Sequence, residues 1–313
     1  MRTVIEIVLP VFSLILLGYG FARGKFLSAE GARGLGVFVY YAAIPALLFR
    51  GMAGEAPAAG DSGKLLVAYF TATLGVFLAS MLVGRIAFRL SFAEQGLMAV
   101  SAGFSNSVQL GIPLVLTAFG NAGLVPLTLI ISLHSLILLS LATVVVEVGR
   151  GHGGEFRHTA RATAIAIATN PVILSIVAGL LWRLGGLPMP SVLERFVDFL
   201  AGAATPAALF SLGATIAGFH IAGNLRESLA VVAIKLAVLP LLVWLLATRV
   251  FHLSPLDTAV ATVCAALPTG ANAFILAQRY DLYVARAASS VLISTAISIL
   301  TLGALLAVLA PVP

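Results

Sequence analysis

Charge is what this sequence most lacks. Only 10% of its 313 residues are Asp, Glu, Lys or Arg, against 60% hydrophobic, whereas a soluble domain carries roughly 25% charged residues. With a mean hydropathy of +1.10, that shortage excludes a water-soluble fold of this size. Cysteine is nearly absent too. Cys264 stands alone inside an apolar run, which excludes an intramolecular disulfide and a thiolate metal cluster. No HExxH helix, GxSxG elbow, paired Asp-rich motif or Walker A loop occurs, so the residues for intramembrane hydrolysis, diphosphate chemistry or direct ATP drive are missing. The expectation is a protein that is not an enzyme and has no cofactor and no metal. The net charge of +6 would suit a nucleic-acid surface in a soluble chain. Here the basic residues fall between apolar spans as topology signals, and no nucleic-acid partner is expected.

What the sequence does have is a succession of apolar runs of about twenty residues, each long enough to cross a ~30 Å hydrocarbon core as a helix. Hydropathy places ten spans near 3–22, 32–52, 65–88, 96–119, 124–147, 165–184, 192–219, 228–250, 256–279 and 284–310. The first holds Glu6 and Pro10 and has no small-residue cleavage site after it, so it reads as a retained helix and not a signal peptide. The connectors of any length are 53–63 and 149–161. Connectors 1–2, 3–4, 5–6, 7–8 and 9–10 carry eleven Lys and Arg, among them Arg33, Arg150, Arg157, Arg161 and Arg286, against six on the other side. Positive charge stays cytoplasmic, which puts both termini on the non-cytoplasmic side of a multi-pass cell (inner) membrane protein.

An internal repeat organises the chain. AAIPALLF (42–49) matches AATPAALF (203–210) at an offset of 161, and the same offset pairs Pro10-Val11 with Pro171-Val172 and Gly18 with Gly179. Further on the offset is 163, pairing 88–91 with 251–254, Glu94 with Asp257 and Gln109 with Asn272. An odd five spans per copy forces opposite polarity, so the expected fold is an all-α polytopic membrane protein of ten helices in two inverted five-helix repeats, 1–150 and 160–313.

In such folds solute binds near the midplane, where paired helices break and expose backbone N–H and C=O groups. Spans four and nine carry the signal. Span four has Ser105, Asn106, Ser107 and Gln109 followed by Gly111 and Pro113, and span nine has Pro268, Thr269, Gly270 and Asn272 at the equivalent depth. Proline removes a backbone donor and glycine permits the geometry of a break, so Gly111, Pro113, Pro268 and Gly270 are the expected break residues. Ser105, Asn106, Ser107, Gln109, Thr269, Gly270 and Asn272 are the candidate binding residues. The bland alternative is a pair of kinked helices whose polar side chains only bond their neighbours. Lys235 is the only lysine inside a span. It either lends positive potential to a bound anion or snorkels or pairs with an acid. His134 lies mid-span and either carries a proton or is a satisfied hydrogen-bonding residue.

SNSVQLGIPL (105–114) and LPTGANAFILAQRY (267–280), with IPALLF (44–49) and Asn170-Pro171, resemble the auxin efflux carrier family. The similarity is to its prokaryotic branch, within the bile-acid/arsenite/riboflavin transporter group, and covers essentially the whole chain. The resemblance implies broken, crossing helices 4 and 9, with a scaffold of spans 1, 2, 6 and 7. Spans 3–5 and 8–10 would form a transport domain moving by an elevator mechanism, and spans 2 and 7 would offer a homodimer contact. It also implies a small organic anion as substrate, such as malonate or an auxin-like acid. The short 5–6 connector departs from the long cytoplasmic loop of the plant carriers. Secondary active or facilitative transport is the expected function, and a sodium-coupled symporter or an anion channel is the alternative. The only acids of spans four and nine, Glu94 and Asp257, sit at the span entrances, which favours sodium-independent or proton-coupled movement.

Overall fold

The computed structural model describes residues 2–54, 61–151, 165, 168–186 and 188–309, with side chains from Glu6 onward. Arg157 and Arg161, counted above as topology signals, lie outside the described residues, as does most of 53–63. The described chain is helical, with no strand and one isolated β-bridge. Its helices are α1 (Arg2–Arg23), α2 (Ala29–Ala53), α3 (Ser62–Ala87), α4 (Phe92–Gly103) and α5 (Ser107–Gly149), then α6 (Pro171–Leu184), α7 (Ser191–Ile216), α8 (Leu225–Val250), α9 (Pro255–Ala266), α10 (Ala271–Tyr280) and α11 (Val284–Leu309).

Seven of these, α1, α2, α3, α5, α7, α8 and α11, are long and apolar enough to cross a membrane. The sequence expectation of ten spans meets the structure differently at three places. α6 is apolar but only 14 residues long among the described residues. Expected span nine is divided between α9 and α10, and expected span four between α4 and the start of α5. α5 has 43 residues, about 64 Å at 1.5 Å per residue, too long for one straight crossing. Gly120 resolves this, because its φ of 62° and ψ of −159° are open to glycine and closed to other residues. Residues 107–119 and 121–149 are therefore two limbs meeting at a kink.

Sequence chemistry sets the helix starts. Ser91 and Glu94 form a reciprocal capping box on α4, Ser254 caps α9, and the Asn170 side chain accepts from Val172 N at 2.9 Å to cap α6. Each cap supplies an acceptor for an N–H that the first turn leaves unpaired. Four π-turns interrupt the long helices, at Val39–Ala43, Ser107–Gly111, Ile234–Val238 and Leu246–Val250. The first three directly precede Pro45, Pro113 and Pro240 at the start of the next α-helical stretch. A proline ring clashes with the carbonyl four residues back, and one wide turn makes room for it.

Packing is closest where glycine lets backbones touch. α1 packs along α7, and α2 along α6 and α7. A Cβ on Gly18 would collide with the Phe210 carbonyl, one on Gly213 with the Ile15 carbonyl, and one on Gly179 would come within 2.6 Å of the Phe49 carbonyl. Elsewhere α3 packs on α4, α4 on α5, α8 on α9 and α11, and α10 on α11. One end of this second group is tied by Arg286, which donates to Glu94 at 2.7 Å and Glu227 at 2.8 Å, joining α4, α8 and α11. Tyr283 packs its ring 4.3 Å from the Arg286 guanidinium, and burial, with the Glu227 charge nearby, holds its phenol well above the usual value. Nearby, the Tyr280 hydroxyl donates to Glu147 at 2.7 Å and Arg150 to the Tyr280 carbonyl.

Candidate functional site: two facing helix breaks

α4 ends at Gly103 and α9 at Ala266, and both chains then run extended. Phe104 has φ −83° and ψ 112°, and Leu267 has φ −59° and ψ 149°. Extended backbone inside an apolar bundle leaves peptide groups without helical partners, each costing several kcal/mol in hydrocarbon, so all of them need a partner. The two breaks supply part of what is needed to each other. Asn106 N donates to Pro268 O at 2.9 Å, Gly270 N to Phe104 O at 2.9 Å, and Ser105 and Thr269 form an antiparallel bridge. The remaining donors go to side chains: Ser105 N to His134 Nε2 at 2.9 Å and Thr269 N to Ser294 Oγ at 3.0 Å. Pro268 has no N–H to satisfy. The fit is close enough that a Cβ on Gly270 would lie 2.7 Å from the Phe104 ring.

The first break thus falls at 104–106, upstream of the expected Gly111 and Pro113. Gly111 closes a π-turn against Leu267, and Pro113 follows it, the wide turn making room for the proline ring. In the second break Pro268 and Gly270 stand where the sequence places them.

A cavity of about 440 Å³ opens beside the paired breaks. Ser105, Asn106, Ser107, Gln109, Gly270 and Asn272 all line it, as do His134, Tyr40 and Asn170. Asn106 is the informative member. Its residue is 7% exposed, and its Nδ2 has no hydrogen-bond partner, although a buried amide donor left unpaired costs about 1–3 kcal/mol. No Asp or Glu lines the cavity among the described residues. Two expected binding residues stand outside it. Thr269 is fully buried, its hydroxyl donating to Ser101 O at 2.8 Å. Lys235, 0% exposed, reaches from the π-turn of α8 behind the break, donating to Ser105 Oγ at 2.9 Å and Ala265 O at 2.5 Å. It faces no carboxylate among the described residues and meets the cavity only through Ser105.

His134 serves the break through its Nε2 lone pair, with Nδ1 3.4 Å from the Tyr69 hydroxyl. An imidazole accepting at Nε2 carries its proton on Nδ1, so its neutral form is the one that holds the Ser105 amide. Sequence reasoning missed the Ser294 hydroxyl and the Ser101 carbonyl as supports, because an apolar helix gives no sign of which hydroxyl or carbonyl a neighbouring break will use. It also missed Arg33 on the cavity wall, which it used only as a topology signal.

No group of three or more His, Cys, Asp or Glu that could hold a metal occurs among the described residues. The cavity therefore offers neutral amide and hydroxyl donors, π-turn and helix N-termini, and positive charge, a set that suits an anion.

The chain is similar to named transporters along nearly its whole length. A protein of Rhizobium meliloti (strain 1021) named "Putative malonate transporter" is 30% identical over 306 residues, covering 98% of this chain and 96% of that protein. An "Uncharacterized transporter" of Methanothermobacter thermautotrophicus is 29% identical over 308 residues, covering 95% of each, and the Escherichia coli (strain K12) "Uncharacterized transporter YfdV" is 24% identical over 294, covering 91% of each. The family model described as "Membrane transport protein" matches residues 3–306, and the chain belongs to that family, the auxin efflux carriers, as a multi-pass membrane transporter.

Proposed function

We propose that this protein carries small organic anions, carboxylates such as malonate, across the cell membrane by alternating access at the paired breaks. The observation that carries this reading is the unpartnered Asn106 Nδ2 in a cavity whose described wall has no carboxylate. A carboxylate oxygen accepting from Asn106 would satisfy that donor. The relative named for malonate is similar along nearly its whole length, which supports the same substrate class.

The ten-helix inverted repeat with crossing breaks is part of this proposal, and reciprocal packing supports it. Gly18 lies against the Phe210 carbonyl and Gly179 against the Phe49 carbonyl, and the offset of 161 carries Gly18 onto Gly179 and Phe49 onto Phe210. α1, α2, α6 and α7 would be the scaffold, and the helices tied together by Arg286 and the breaks the moving body of an elevator. α7 exposes Val192, Phe196 and Phe199 along one side, consistent with lipid or with a homodimer contact through α2 and α7. Both termini would lie on the non-cytoplasmic side. Lys235 already occupies the oxygens of Ser105 and Ala265 that a sodium ion behind the break would need, so sodium is not the coupling ion in this reading.

The test is uptake of labelled malonate by proteoliposomes of wild-type protein and of Asn106→Ala. Saturable uptake with trans-stimulation, lost in a variant that stays monodisperse, is expected. Near-normal uptake in Asn106→Ala would place the site elsewhere, and large currents without counterflow would favour a channel.

A further inference from the structure

The cavity wall carries one permanently charged side chain among the described residues, Arg33. On α2 it begins a stripe continued by Gly36, Tyr40 and Ile44, spaced by three or four residues and therefore on one helix face. Eleven residues at 1.5 Å each make this wall about 16 Å long, with the exposed Arg33 at one end and the buried Ile44 at the other. The wall also takes in Asn170, at the start of α6, and Thr215, near the end of α7. Arg33 is one of its exposed members, with Val37 and Tyr41 on α2 and Asn272 and Ile275 on α10, and so stands on the cavity's open rim.

Arg33 is exposed and forms no hydrogen bond or ion pair with any described residue. Glu30, one turn back on α2, neither pairs with it nor lines the cavity. A guanidinium on the rim of a cavity whose described wall has no acid, and which an unpartnered amide donor also lines, attracts anions.

We infer that Arg33 is the residue that selects anions by their charge at the mouth of the cavity, favouring dianions such as short dicarboxylates over monoanions. This rests on the reading of the cavity as the anion's path. The physical content is a scaling law. A fixed charge that acts through its potential contributes an energy proportional to the charge of the ligand, so its effect on a dianion's affinity is the square of its effect on a monoanion's. At about 8 Å through a wet mouth of effective dielectric constant about 60, the contribution is roughly threefold per unit of ligand charge, hence about ninefold for a dianion. A residue that merely shapes the mouth would change both ligands alike.

The experiment uses the full chain in proteoliposomes of uncharged lipid at neutral pH. It measures KM for malonate, a dianion, and the inhibition constant of monomethyl malonate, a monoanion, in wild type, Arg33→Lys and Arg33→Gln. In Arg33→Gln the malonate KM is expected to rise about ninefold and the monomethyl malonate constant about threefold, with kcat unchanged and Arg33→Lys close to wild type. Raising the salt from about 50 to about 500 mM should erase most of the difference. Equal fold-changes for the two ligands, or an unchanged malonate KM, would overturn the inference. So would a wild-type site that malonate saturates and monomethyl malonate does not touch, since a direct contact would then be reading the second carboxylate. Wild-type protein that transports neither ligand would instead remove the anion-carrier reading itself, an outcome distinct from an Arg33→Gln variant that behaves like wild type.

Discussion

Replacing Lys235 with methionine separates charge from volume at one position. The ammonium is fully buried and donates to Ser105 Oγ and Ala265 O. An anion bound at the cavity face of Ser105 or Asn106 would lie about two hydrogen-bond lengths from Nζ, roughly 6 Å. With an effective dielectric constant of about 20 the attraction is about 2.8 kcal/mol, which is roughly a hundredfold in affinity. The effect on the fold should be far smaller. Ala265 O belongs to the last turn of α9, whose carbonyls lack helical partners, and leaving it bare costs about 1–3 kcal/mol. Against this, the variant no longer buries a cation that has no carboxylate beside it, a desolvation of several kcal/mol. The two terms oppose, and Lys235→Met should keep its stability within about 2 kcal/mol of wild type. The assay pairs a thermal midpoint with malonate titration calorimetry on the same purified sample. A folded Lys235→Met that binds malonate within threefold of wild type would refute the electrostatic reasoning and leave Lys235 a structural donor only.

Two further outcomes follow from the hydrogen-bond accounting. His134→Gln, whose amide oxygen can accept from Ser105 N in place of Nε2, should keep malonate uptake within about fivefold and leave its response to a pH gradient unchanged, whereas His134→Ala should lose about 1–3 kcal/mol of stability by leaving that amide unpaired. A His134→Gln variant that transports but no longer responds to the gradient would make His134 the proton carrier. Arg286→Ala strands the Glu94 and Glu227 carboxylates, whose side chains are only 22% and 6% exposed. It should cost about 2–3 kcal/mol, read as a thermal midpoint lower by several degrees, and an unchanged midpoint would mean the cluster is not holding α4, α8 and α11 together.

The membrane class and the second helix break were legible because they rest on patterns local to the chain. Low charge and long apolar runs announce spans, and Pro268-Thr269-Gly270 sits where the second break falls. The first break was misplaced for an identifiable reason. Proline and glycine mark both where a helix stops and where one restarts, and in 107–113 they build a π-turn and a first turn, leaving the unmarked Phe104-Ser105-Asn106 to run extended. Lys235 shows a second limit. Its depth in span eight could be read from its neighbours, but the side of the break it faces depends on how α8 is rotated against α9, and the π-turn at 234–238 changes that rotation without any local signature beyond Pro240. Nothing local to the chain marks Glu227 as a partner, and only the fold brings Arg286, 59 positions later, onto it.

The mutual pairing of the two breaks also constrains the order in which the protein can be made. During synthesis α4 and the first limb of α5 reach the bilayer while Pro268 and Gly270 are still about 160 residues from being translated. Until then the Asn106 amide and the Phe104 carbonyl have lost the partners that the finished protein gives them, and hydrocarbon offers no substitute. The first half of the chain must therefore wait in a hydrated or provisional arrangement, held by the insertion machinery or by water, until the second half arrives to complete it. The backbone pairing of the two breaks is then also the last seam of assembly to close, and a nascent chain truncated before residue 268 should be recognisable to quality control by that open seam.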